Sequence, residues 1–119
     1  MGGLVARYYV QRLAKAASVY HLITVASPHQ GTWMAYLSGN PGARQMRPGS
    51  EFLRELDANC AELQEVRFTS IWTPFDLMIV PPRSARTTHA KSIPVRVVAH
   101  AWMMRDQQVI QTILHQLRV

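Results

Sequence analysis

The chain has 119 residues, enough for one small domain, and its 48% hydrophobic and 17% charged content places it among folded globular proteins rather than disordered ones. Its net charge of +6 comes mainly from arginines scattered along the chain; without a basic run or a basic–aromatic alternation it reads as solvated surface, not a nucleic-acid footprint. No apolar run approaches the roughly 18 residues of a membrane span, the first residues lack the basic and purely apolar regions expected of a secretory signal, and a single cysteine, Cys60, excludes an internal disulfide or a cysteine-rich zinc site. Nothing addresses the chain to a compartment, so cytoplasm is the default expectation.

From Gly2 to about Ala17 the periodicity predicts a helix. Leu4, Val5, Tyr8, Tyr9 and Leu13 share one broad side, and Arg7, Gln11 and Lys15 form a polar stripe. Gly2 and Gly3 are poor helix formers, costing about 1 kcal/mol each relative to alanine, so two at the start predict a tight turn or close backbone packing. "VYHLITVAS" comes next as a β-prone run apolar enough to be buried on both faces, and it ends in the loop "SPHQGT". Residues 33 to 49 look irregular. Ser50 is the expected N-cap of a helix from about Glu51 to Leu56.

"VRFTSIWT", Val66 to Thr73, predicts a second strand closed by Pro74. After the loop "PPRSARTTHAKS", the run "IPVRVVAH", Ile93 to His100, predicts a third strand with Pro94 near its start. Asp106 opens a last helix whose apolar face is Val109, Ile110, Ile113, Leu114 and Leu117. The alternation predicts an α/β fold, a parallel sheet of about three strands covered by helices. So thin a sheet leaves an edge open to association.

In open α/β sheets, ligands bind beyond the carboxyl ends of the strands. Asp76 comes after the second strand and His100 ends the third, an acid-then-histidine order on consecutive strands. An imidazole that takes a proton from a hydroxyl nucleophile needs a carboxylate to fix its tautomer and stabilise its charge, and adjacent loops can bring the two together. On spacing alone, a loop aspartate capping backbone N–H groups and a strand-end histidine fit these positions too. Ser27 lacks a glycine-framed turn, Ser84 sits in "PPRSA", His29 reads as a structural loop histidine, and the histidine spacings suggest no metal site and no cofactor.

The opening "MGGLVARYYV" resembles the segment just after the nucleophile in α/β-hydrolases of the G-H-S-M-G-G lipase and esterase type, where the serine stands on a sharp strand-to-helix turn. Further matches come in chain order: "SPHQGT" is similar to the T-P-H-x-G-T loop of bacterial triacylglycerol lipases, "DLMIVPPRSA" to their acid loop, and "HAWMMRDQQVIQTILHQL" to their histidine loop and last helix. The resemblance spans residues 1 to about 117. It implies the C-terminal part of an α/β-hydrolase domain, with residues 33–60 where a cap or lid insertion would lie. It further implies Asp76 as triad acid, His100 as general base, and Met1 as donor of one oxyanion-hole N–H. Trp33, Met34, Tyr36, Leu37, Met46 and Phe52 would line an acyl pocket, though covering the core is an equal reading. The implied substrate is a carboxylic ester or lipid. The nucleophile, the second oxyanion donor and the first strands have no counterpart in the chain, so by itself it is expected to be inactive. The other expectation is a non-enzymatic fragment that self-associates through its exposed sheet edge.

Overall fold

The computed structural model describes residues 1–14 and 18–119; the predicted end of the first helix, 15–17, lies outside the described residues. The helices are α1 (Gly2–Arg12), α2 (Pro41–Gln45), α3 (Glu51–Ala58) and α4 (Gln107–Arg118), and the strands are β1 (His21–Val25), β2 (Arg67–Trp72) and β3 (Lys91–Pro94). The strands form one open parallel sheet in the order β1-β2-β3, with His21 opposite Arg67 and Thr69 opposite Lys91. This is an α/β architecture.

Alternation along the strands divides the core. Leu22 and Phe68 pack with Val10 of α1 and with Leu63 and Val66 on one side of the sheet. Ile71, with the half-buried Ile23 and Val25, packs with Val95, Val97, Met103 and Val109 in a second cluster. Leu4 of α1 joins Leu53 and Leu56 of α3 in a third.

The predicted caps are in place. Ser50 Oγ accepts from Leu53 N at 3.2 Å, and Asp106 Oδ1 accepts from Gln108 N and Val109 N at 2.8 and 3.3 Å. Residues 33–49 are more ordered than composition suggested. They hold a 3₁₀ turn at Trp33–Leu37 and the short α2, whose N-cap Asn40 accepts from Ala43 N at 2.8 Å.

The third strand needs correction: pairing begins at Lys91, and the segment expected to run to His100 leaves the sheet after Pro94. Val95 N still reaches Trp72 O at 2.8 Å, but β2 ends there and turns away at Thr73-Pro74, so later residues have no ladder to join. The α4 face is also only half covered. Val109 is buried, whereas Ile110, Leu114 and Leu117 are exposed.

Gly3 explains the glycine pair at the start. A Cβ there would lie 1.9 Å from Ser27 Oγ and 2.6 Å from Ser27 Cβ, so α1 can approach the end of β1 only without a side chain at this position. At Gly2 a Cβ would meet nothing within 4 Å.

Candidate active site

Asp76 lies in the loop after β2 and His100 at the start of a 3₁₀ turn, His100–Trp102, after β3. Their side chains meet. His100 Nδ1 lies 2.9 Å from Asp76 Oδ2. Asp76 is 2% exposed, and its other oxygen, Oδ1, accepts from Met78 N at 2.9 Å and Ile79 N at 3.0 Å. The sequence left two readings of Asp76 open, a capping aspartate or the partner of a histidine. The residue does both, one oxygen for each.

A carboxylate only accepts, so the pairing puts the proton on Nδ1 and leaves the Nε2 lone pair free. Among the described residues no hydroxyl or thiol hydrogen-bonds His100. The histidine borders a cavity of about 450 Å³ that also takes in Met1 at the head of α1, Ala26 after β1, and Ile79. Four of the chain's six methionines line it: Met1, Met34, Met46 and Met78. Unbranched thioethers make such a wall apolar and adaptable.

The six side chains expected at an acyl pocket divide. Met34 and Met46 line the cavity, and Phe52 packs instead against the cluster of Leu4, Leu53 and Leu56. Trp33, Tyr36 and Leu37 are exposed, and none of the three lines it. Trp33 and Tyr36 stack on each other at 5.4 Å, and the Arg47 guanidinium lies 4.7 Å from the Tyr36 ring centroid. Sequence reasoning passed over Met78 and Thr32. The concentration of methionine before and after these loops was the available signal.

Thr32 holds the loops around the dyad. Its Oγ1 donates to Met78 O at 2.9 Å and accepts from Val80 N at 2.9 Å and from Met34 N at 3.3 Å. The acid loop is thereby tied to the loop after β1. At the base of that loop Ala26 sits in the left-handed region at φ 48°, a strained conformation for a residue with a Cβ. Met1 contributes the exposed end of a helix, where backbone N–H groups have no intrahelical acceptor. Burial lowers the pKa of its α-amino group from the ordinary 8.0.

Behind the site lies a buried polar cluster. His29 is fully buried, with Nε2 2.8 Å from Thr24 Oγ1 and its ring edge-on to Phe68 at 5.2 Å. Desolvation first, and then the positive charges of Arg7 and of the chain's amino terminus, push its pKa down to about 3. Arg7, also fully buried, donates from Nε to Gln11 Oε1 and from Nη2 to Asp57 Oδ1, both at 2.8 Å. Gln11 in turn donates to Leu56 O at 2.7 Å and to Asn59 O. Arg7 Nη1 and His29 Nδ1 have no protein partner. Arg7 and Gln11 of the predicted polar stripe thus form an internal strut to α3, and Lys15 lies outside the described residues. Ser27 and Ser84 are both buried, and Ser27 Oγ donates to Val25 O at 3.4 Å.

The described residues contain no cluster of three potential metal ligands, and no helix is long and apolar enough to cross a membrane. No protein-family model and no curated protein matches the chain.

Proposed function

We propose that this chain carries the acid–base half of a site that hydrolyses carboxylic esters by serine-type chemistry. The observation that carries the reading is the 2.9 Å contact of His100 Nδ1 with the buried, doubly capped Asp76 at the edge of an apolar cavity. The likeness to lipases and esterases adds support. In this reading His100 Nε2 takes the proton of the attacking hydroxyl, and Asp76 holds the tautomer and stabilises the resulting imidazolium. His100 then returns the proton to the leaving alkoxide. The N–H groups at the head of α1, Met1 among them, face the developing oxyanion. The nucleophile is a serine directly before Met1, outside this sequence, and the substrate's apolar group occupies the methionine-lined cavity.

Two measurements test this. The isolated chain should hydrolyse short p-nitrophenyl esters only at a residual rate, insensitive to fluorophosphonate and lost in His100→Ala; fluorophosphonate-sensitive turnover would refute the missing nucleophile. Translating the DNA upstream of the Met1 codon in frame should reveal Gly-x-Ser. A stop codon there would favour a second reading, a non-enzymatic module that associates with itself.

A specific observation favours that second reading. The outer edge of β1 has no strand partner among the described residues, and apolar side chains stand exposed: Val5 and Tyr9 on α1 and Leu13 at its C-cap, and Ile110, Leu114 and Leu117 on α4. Self-association should then appear in size-exclusion chromatography. A monomer at tens of micromolar would rule it out.

A further inference from the structure

The arginines look scattered along the sequence, but the fold gathers three of them. Two adjoining depressions of about 470 and 450 Å³ share Gln30, Thr87 and Thr88 and so form one groove; neither shares a lining residue with the His100 cavity. Arg83 and Arg86 border one end, and Arg54 and His89 the other. The first pair is aligned by local geometry. Both belong to the 3₁₀ turn at Pro82–Ala85 and its C-cap, and side chains three apart on such a turn eclipse.

The turn is fixed from behind, where Gln30 N donates to Ser84 O at 2.9 Å and Gln30 Nε2 to Arg86 O at 3.0 Å. The Arg86 guanidinium lies 5.7 Å from the Trp72 ring centroid. Among the described residues none of the three arginines has a carboxylate partner. The one carboxylate bordering the groove, Asp57, is held by buried Arg7. The result is a hydroxyl-floored groove flanked by uncompensated guanidinium groups.

We propose that this groove binds a small polyphosphorylated anion, with Arg83 and Arg86 on one phosphate and Arg54 on another. Guanidinium forks match phosphate oxygens bidentately, and the threonine hydroxyls supply further donors. The groove presents no phenyl, phenol or indole ring for base stacking, which favours a compact anion over single-stranded nucleic acid. This inference is independent of the hydrolase reading.

Isothermal titration of the 119-residue chain with tripolyphosphate at low salt tests it. Saturable one-to-one binding is expected, weakened roughly tenfold or more in the Arg83→Ala/Arg86→Ala double variant. The three groove arginines are exposed, so far-UV circular dichroism and the thermal midpoint of the double variant should match the wild type. Arg96→Ala/Arg118→Ala, which removes two exposed arginines outside the groove, should change the affinity less than twofold. Absence of saturation in the wild type overturns the proposal, as does an equal loss in the control variant, which would mean diffuse attraction to net charge. Tighter binding of a single-stranded oligonucleotide, lost with the same groove substitutions, overturns the assignment to a small anion.

Discussion

His29 should make the fold acid-labile through one side chain. Its pKa falls from the ordinary 6.5 to about 3 on folding, so between these values the unfolded chain binds a proton that the native state excludes. Stability from this group is therefore fully present above pH 6.5 and is lost as pH falls toward 3. At pH 4 the linkage amounts to about 3 kcal/mol relative to pH 7, near 1.4 kcal/mol per pH unit in the steep region. Against a typical total of 5–15 kcal/mol for a domain, that is a large share. The carboxylates also titrate in this window, so the measurement is a difference. Urea unfolding of wild type and His29→Gln at pH 7, 5.5 and 4 should give stability curves that converge on acidification. Glutamine can still hydrogen-bond Thr24 Oγ1 but cannot take up the proton, so the variant starts weaker and declines less. Parallel curves would refute the reasoning, because the protons driving acid unfolding would then bind elsewhere.

Gly3→Ala should destabilise by about 1–3 kcal/mol through its clash with Ser27, while Gly2→Ala should be neutral or stabilise by up to about 1 kcal/mol; paired thermal denaturation distinguishes them. Asp57→Ala leaves Arg7 buried with two nitrogens unpaired and should cost about 1–3 kcal/mol, whereas Arg7→Met, which removes the charge as well, should cost less in the same urea titration. Thr32→Val deletes the oxygen that bridges the two loops and should cost about 1–3 kcal/mol, with amide exchange at Val80 and Met34 rising more than in β2. If Leu114 is part of an association surface, Leu114→Lys should shift any oligomer to monomer in size-exclusion chromatography without lowering the monomer's thermal midpoint.

Chain-local signals were legible in the sequence, and relations set by tertiary packing were not. Ser50 and Asp106 cap their helices because capping depends on neighbours within three residues. The third strand was misplaced because "IPVRVVAH" has strand composition, but pairing ends where β2 ends, a property of the neighbouring strand. Arg7 and Gln11 were legible only as part of a polar stripe, because helical spacing identifies a face without saying what covers it. That cover is α3, whose Asp57 and carbonyls accept their hydrogen bonds. The Asp76–His100 pairing was legible as an order of residues, since ends of adjacent parallel strands converge on one side of the sheet. The groove was invisible, because Arg54 and the Arg83–Arg86 pair meet only through a loop and a turn that lie after different strands.

The two ends of the chain's chemistry are joined mechanically at Gly3. Its missing Cβ sets how closely α1 lies on Thr24 and Ser27, and hence where Met1 stands over the cavity that His100 borders from the opposite loop. Thr24 also receives His29, kept neutral first by its own burial and then by the charge of Arg7, and Arg7 is one turn along from Gly3 on α1. A displacement of α1 would thus move the head of the helix away from the dyad and at the same time open His29 to water. Acid should take the same route in reverse. Protonating His29 beside a buried guanidinium repels α1 from β1, so the helix head should lose its position over the cavity before the sheet unfolds. Protection factors for amide exchange at Leu4 and Val5 should therefore begin to fall at a higher pH than those at Phe68 to Ile71, and simultaneous onset in both segments would refute that order.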